Sequence, residues 1–254
     1  MQLTVLGCWA PYPRAGGACP GYLLQAGTTN LLLDCGNGVL GNLQKHLDFR
    51  KLTGVVISHL HPDHYYDIFC LRHALGGAKR DGSRPESLEL WLPEGPSEAR
   101  EQLARYQDVF LIKAITAQNR AGQGWLESQV GECKLQFMPT EHPLPCYAAA
   151  VEFQGKRIVY TADTGWTARL VPFLRGADLL LCEASLQEAD AAYAAAGHLT
   201  AGQAGELAQQ AGVRKLALTH FWPEYNLAVT KQEAQRAFDG VVDLAAEGKV
   251  WKVE

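Results

Sequence analysis

His59-Leu60-His61-Pro62-Asp63-His64 decides the reading of this chain. Four side chains that ligate metals fall within six residues, directly after the apolar β-branched run Val55-Val56-Ile57, which reads as a buried strand. His59 and His61 stand two apart, so an extended backbone carries both to one side. Pro62 disfavours helix at His61 and turns the chain, which leaves Asp63 and His64 free to point elsewhere. One short loop can therefore feed two adjacent cation positions. Neutral imidazole and carboxylate suit zinc, and also iron, manganese or nickel. The competing reading is three solvated histidines beside an N-capping Asp, but loop histidines rarely cluster this densely around a carboxylate.

The same punctuation recurs along the chain. Asn30-Leu31-Leu32-Leu33 ends at Asp34, and Leu135-Gln136-Phe137-Met138 is followed by Glu141-His142. Arg157-Ile158-Val159-Tyr160-Thr161-Ala162 ends at Asp163, Ala177-Asp178-Leu179-Leu180-Leu181-Cys182 at Glu183, and Lys215-Leu216-Ala217-Leu218-Thr219 at His220. With the run before His59, six strand candidates each deliver Asp, Glu or His just past their end, as sites at one edge of layered α/β folds require. Helices are expected over 65–75 and 97–106. Thr200-x-x-Gln203 is a capping box that opens a helix through Ala211, with Gly212 as its stop. Residues 76–85 and 117–124 read as loops. A seam near 117–130 would divide one domain, 1–254, into two halves.

With 254 residues, 47% of them hydrophobic, the chain can bury a sizeable core. Its net charge of -4 argues against a partner of long nucleic acid, which selects basic surfaces. The one locally basic stretch, Lys79-Arg80-Asp81-Gly82-Ser83-Arg84, reads as a solvated loop within reach of an anionic substrate. No apolar run approaches the ~20 residues of a membrane helix, and no charged-then-apolar leader precedes the first strand, Gln2-Leu3-Thr4-Val5-Leu6. Seven dispersed cysteines without a C-x-x-C pair suit a reducing cytoplasm. Cys35 and Cys182 lie beside site residues and read as small buried apolar side chains.

The H-x-H-x-D-H run at 59–64 resembles the metallo-β-lactamase superfamily signature, and every defined position matches. The resemblance implies an α/β (α+β) fold, the four-layer αββα sandwich with two mixed β-sheets between helices, and a dinuclear site at one edge. His142, Asp163 and His220 match the family's later ligands by order. The implied first position is His59, His61 and His142. The implied second is Asp63, His64 and His220, with Asp163 bridging. Two divalent metal ions are expected, zinc foremost, with manganese or iron also accepted. A carboxylate bridge holds two cations about 3.5–4 Å apart, and a water between them loses its proton near neutral pH and becomes the nucleophile. Asp63 thus counts both as a ligand and as a catalytic carboxylate. Asp34 either orients a ligand histidine or is a turn residue before Gly36.

Within that superfamily, further stretches resemble the ribonuclease Z-like branch. These are Leu6-Gly7-Cys8-Trp9-Ala10-Pro11-Tyr12-Pro13, Leu33-Asp34-Cys35-Gly36-Asn37-Gly38, and Cys182-Glu183-Ala184-Ser185 followed by Gly197-His198-Leu199-Thr200. By that resemblance His198 protonates or stabilises the leaving oxygen and Glu183 orients it, a role imidazole suits because it titrates near neutrality. The chain also departs from the branch. Cys182 stands for a His, Trp9 and Ala10 replace glycine-rich sequence, and Asp67 stands where Gly is common. Asp163 stands only 21 positions after His142, and a Gln154-Gly155 hairpin accounts for the interval. The tRNA-gripping arm of ribonuclease Z has no room there. The expectation is a phosphodiesterase of small nucleotides, short RNA or cyclic phosphodiesters. The alternative is a hydrolase of lactones, thioesters or other carboxylic derivatives on the same two ions. A homodimer follows from the resemblance alone, and no membrane partner is expected. Trp9, Tyr65, Tyr66, Phe221 and Trp222 either wall a pocket or pack the core. His46 and His73 fit no motif.

Overall fold

The computed structural model describes residues 1–116 and 124–254; residues 117–123, most of the expected 117–124 loop, lie outside them. The first sheet holds β1 (Gln2–Gly7), β2 (Gly21–Ala26), β3 (Thr29–Leu33), β4 (Gly54–Val56), β5 (Leu88–Pro93), β6 (Phe110–Ile115) and β14 (Val250–Lys252). The second holds β7 (Leu126–Val130), β8 (Cys133–Pro139), β9 (Tyr147–Phe153), β10 (Lys156–Tyr160), β11 (Leu179–Glu183), β12 (Lys215–Thr219) and β13 (Val241–Leu244). Their orders are β14-β1-β2-β3-β4-β5-β6 and β13-β12-β11-β10-β9-β8-β7. Both are mixed. In the first, the pairings from β14 to β3 are antiparallel and those from β3 to β6 parallel. In the second, β13 to β10 run parallel and β10 to β7 antiparallel.

Burial on both faces explains the unbroken apolar runs. Leu31 and Leu33 point into the core between the sheets, whereas Leu32 points outward beneath helices α1 (Val39–Leu43), α3 (Ile68–Arg80) and α4 (Ser97–Ala104). A strand covered on both faces has no polar side to alternate with. Helices α5 (Leu170–Leu174), α6 (Ala201–Ala211) and α7 (Leu227–Ala237) accompany the second sheet, with α6 in contact with β11 and β12. The result is the expected four-layer sandwich.

Local signals held where bonding is local. Thr200 Oγ1 accepts from Gln203 N at 3.2 Å and Gln203 Oε1 from Thr200 N at 3.0 Å, and Gly212 closes α6 at φ 63°. Gln154 and Gly155 both take positive φ, as a two-residue hairpin turn requires. Three expectations need correction. The helix expected over 65–75 is two helices, α2 (Pro62–Tyr65) and α3. The break falls where the Asp67 amide donates to the Cys35 carbonyl, 3.0 Å away in another loop, while its carboxylate accepts from Leu40 N at 2.9 Å. The loop expected over 76–85 begins only after Arg80, because buried Leu75 and Ala78 hold the helix through Gly76 and Gly77 against their poor propensity. The helix expected over 97–106 ends at Ala104. The described part of the expected seam includes β7, the edge strand of the second sheet.

The ends of β3, β4, β8, β10, β11 and β12 gather at one edge of the sandwich. Asp243 ties the two sheets together. Within β13, it accepts from Trp251 Nε1 of β14 at 2.8 Å and from Lys249 Nζ, with Lys215 Nζ 3.5 Å away. Burial would raise its carboxyl pKa, but these donors and the Leu244 amide outweigh burial and hold it down at about 2. Asp243→Asn should therefore lower stability by about 1 kcal/mol at neutral pH. Because the folded-state pKa is depressed, the wild-type advantage is full above the usual carboxylate pKa of about 4 and fades as pH falls towards 2. Urea unfolding of both proteins across that range measures it; a difference independent of pH would refute the role.

Candidate metal centre

Backbone strain aims the strand ends. Asp34, Ala162 and His220 adopt φ of 57°, 52° and 59°, left-handed values that cost a non-glycine residue on the order of 1 kcal/mol or more. Each stands just past a strand and swings the next side chain, or its own, into the edge. Gly36 lets the 34–37 turn press on the His loop, since a Cβ there would sit 1.8 Å from the Asp63 carbonyl oxygen. Gly197, at φ 94°, lies against His142 in the same way: a Cβ would fall 3.0 Å from its Nδ1.

The surrounding acceptors fix which nitrogen each imidazole turns inward. His64 Nδ1 donates to Asp34 Oδ2 at 2.8 Å, and His142 Nδ1 to the Gly197 carbonyl at 3.2 Å. Ser58 Oγ gives its hydrogen to Asp34 Oδ2 at 2.8 Å and so accepts from His59 Nδ1 at 3.1 Å. Ser185 Oγ gives its hydrogen to Glu183 Oε2 at 2.6 Å and accepts from His220 Nδ1 at 2.7 Å. All four rings are thereby committed outward through Nδ1–H, and each turns Nε2 into the centre. Asp34, left open by the sequence, is the hub that orients His64.

Inward, these nitrogens meet one another. His64 Nε2 and His220 Nε2 are 3.1 Å apart; His61 Nδ1 lies 3.0 Å from His59 Nε2 and 3.2 Å from His142 Nε2. Asp163 divides its oxygens, Oδ2 lying 3.5 Å from His59 Nε2 and Oδ1 3.1 Å from His220 Nε2. That Oδ1 is buried with no hydrogen-bond donor. Asp63 Oδ2 lies 3.5 Å from His64 Nε2 and 3.7 Å from His220 Nε2. Acceptors facing acceptors repel unless a cation lies between them. Three groups converge tightly enough to hold one: His59, His61, His142 and Asp163; Asp63, His64 and His220; and Asp163, His198 and His220. Burial, the largest cause, holds the imidazoles of His59, His61 and His142 below their usual pKa, which keeps them neutral and ready to ligate. Burial would lower His64 too, but Asp163, Asp63 and Asp34 reverse the sign. These carboxylates call for positive charge, and the donor set fits divalent cations.

Glu183 and His198 meet as the motif pair implied. His198 Nδ1 donates to Glu183 Oε1 at 3.0 Å. Burial opposes a charge on His198, but Glu183 and then Asp163 outweigh it and lift its pKa to about 9. Glu183 is wholly buried and also accepts from the amides of Thr164, Ser185 and Leu199. Ser185, given no role in the sequence reading, joins Glu183 to His220.

A cavity of about 430 Å³ opens onto this edge. His61, Asp63, Asp163, Ser185, His198 and His220 form its polar wall; Ala10, Pro11, Pro62, Leu186, Ala196, Tyr193 and Trp222 form the apolar one. Among the described residues no Lys or Arg lines it, so the basic stretch at 79–84 takes no part. Of the five aromatic candidates only Trp222 lines the cavity. Trp9 and Phe221 pack edge to face in the core, Tyr65 is buried and Tyr66 points to solvent. Tyr193, in an Ala-rich segment without a motif, was not foreseen. Cys35 and Cys182 are buried outside the ligand groups, and His46 and His73 are exposed.

Two mixed sheets with a His/Asp cluster across their common edge define a metallo-β-lactamase-fold protein. The chain belongs to the beta-lactamase superfamily, whose domain matches residues 29–221. The probable metallo-hydrolase YhfI of Bacillus subtilis is 35% identical over 257 residues, 99% of this chain and 100% of YhfI. The crystal structure of YhfI matches at a TM-score of 0.91 with 32% identity, over 98% of each chain. Ribonuclease Z of Parabacteroides distasonis is 26% identical over 304 positions, 97% of each chain. Those positions outnumber this chain's 254 residues, so that relative carries segments absent here. Human tRNase Z, short form, shares the fold at a TM-score of 0.80 and 22% identity, over 100% of each chain.

Glu183→Gln would turn an amide NH2 towards buried donors. It should destabilise the metal-free protein by about 2–3 kcal/mol, the cost of stranding buried donors, whereas His198→Ala should cost about 1 kcal/mol or less. Equal losses in urea unfolding would show that Glu183 is not the scaffold of this edge.

Proposed function

We propose that this metal-dependent hydrolase is a phosphodiesterase of small nucleotides, short RNA or cyclic phosphodiesters. One observation carries the reading: His198, held by buried Glu183, lines the same cavity as residues of both ligand groups. His59, His61 and His142 would hold one divalent ion, and Asp63, His64 and His220 the second. Asp163 would offer Oδ2 to the first and Oδ1 to the second. Zinc suits the set, with manganese or iron also accepted. When bound, the pair supplies positive charge that polarises a phosphoryl group and acidifies water.

The chain's own residues do the rest. With Nδ1 tied to Glu183, His198 keeps Nε2 for a proton that passes to the departing oxygen. The Glu183 carboxylate beside it favours the protonated ring. The apolar wall hosts the organic substituent and excludes water. A wall without Lys or Arg among the described residues suits a substrate whose charge resides in one phosphodiester. The short hairpin between β9 and β10 supports a small substrate, since no arm is there to grip a folded RNA. Seven free cysteines, six of them buried, support a reducing, cytoplasmic setting.

The leaving group supplies the test. An alkoxide leaves poorly without a proton, whereas p-nitrophenolate leaves without one. His198→Ala should reduce kcat on a dinucleotide by about 10²–10⁴-fold and on bis-p-nitrophenyl phosphate far less, with KM little changed. Equal losses on both would remove the proton-donor role. Turnover of lactones or thioesters but of neither phosphodiester would favour the carboxylic-derivative reading.

A further inference from the structure

Behind the centre, two tyrosines cross between the sheets in opposite directions. Tyr22 of β2, in the first sheet, places its hydroxyl 2.6 Å from Thr219 Oγ1 of β12, in the second. Thr219 immediately precedes His220. Tyr160 of β10, in the second sheet, donates to Asp34 Oδ2 at 2.8 Å, just past β3 in the first. That same oxygen accepts from His64 Nδ1. The two rings pack on each other at 5.1 Å, and both are fully buried. Each sheet thus reaches across to the residue that positions the other sheet's histidine, and those two histidines face each other at 3.1 Å.

We infer that Tyr22 and Tyr160 are a reciprocal cross-sheet brace that sets the separation of His64 and His220, and with it the affinity of the second ion position. The inference rests on the two-ion reading above. Both positions draw ligands from both sheets, since His142 and Asp163, which follow strands of the second sheet, join His59 and His61 in the first position. What singles out the second position is where the tyrosine bonds end: on Asp34, which holds His64 directly, and on Thr219, the neighbour of His220. Asp34 Oδ2 receives three donors, from His64, Ser58 and Tyr160, and only Tyr160 comes from the opposite sheet. Removing that hydroxyl leaves Asp34 and His64 held by their own sheet alone. Removing the Tyr22 hydroxyl frees Thr219, and with it the strained turn at His220. Both tyrosines are positioning residues; neither lines the cavity.

The test is stepwise zinc binding by the full chain in competition with a chromophoric chelator, with cobalt absorption spectra to follow each site. Tyr22→Phe and Tyr160→Phe remove one hydroxyl each and keep the ring packing. Each should weaken the second ion by about 10-fold or more, the usual effect of losing an outer-shell partner, and leave the first ion unchanged. Phe137→Leu loosens a cross-sheet contact elsewhere, with Trp91 at 5.8 Å. It should lower the Tm without selective loss of the second ion. Wild-type affinity for both ions in the two tyrosine variants would overturn the inference. Equal weakening of both ions, or the same pattern in Phe137→Leu, would overturn it too, because either marks general loosening. A wild-type chain that binds fewer than two ions would overturn the two-ion reading itself.

Discussion

Two imidazoles, His64 and His220, turn Nε2 towards each other across 3.1 Å. Asp163 Oδ1 lies 3.1 Å from His220 Nε2, and Asp63 Oδ2 lies 3.5 Å from His64 Nε2. Such an arrangement stands only if positive charge fills it, so the rest of the edge can be read as the means of holding acceptors together. Asp34, Ser58, Ser185 and the Gly197 carbonyl each occupy an outer Nδ1 and so fix the inner face of a ring. The metal chemistry of the site is written in these outer bonds as much as in the ligands.

The fold supplies the force that holds this repulsive cluster in place. Leucine-rich strands covered on both faces stabilise the sandwich, and the edge draws on that stability. Left-handed turns at Asp34, Ala162 and His220 lie just past strand ends, and Gly36 there admits a close backbone. Strain of this kind persists where the surrounding structure over-determines it. Among the described residues, the cavity next to these turns is walled by apolar groups, Tyr193 and Trp222 included, with its charged side chains on the ligand side. That division suits the phosphodiester substrate proposed above.

What the sequence discloses is what local bonding decides. The ligand loop is legible because four donors in six residues leave few alternatives, and β10, β11 and β12 because each apolar run stops at one polar residue. The Thr200/Gln203 box and the Gln154-Gly155 turn close within their own few residues. Tertiary bonding hides the remainder. The break at Tyr66 and Asp67 depends on a carbonyl at Cys35, thirty-two residues earlier. The helix through Gly76 and Gly77 depends on what Leu75 and Ala78 bury. Ser185 stands in a quoted motif, yet its bond to His220 crosses 35 positions. Tyr22 and Tyr160 look like any aromatic strand residue until the two sheets are stacked. Trp9 and Phe221 adjoin site motifs, yet adjacency in sequence leaves open which face they take, and the stacked sheets bury both in the core.

The most direct test of the central claim couples metal content to stability. The protein is stripped with chelator, then unfolded with urea at rising free zinc. If the inward lone pairs are cation ligands, binding to the folded state alone must raise stability by RT ln(1 + [L]/Kd) for each ion. The midpoint should climb with zinc, and two equivalents should be retained per chain. A stripped protein as stable as the loaded one, or one that takes up no zinc, would contradict the account.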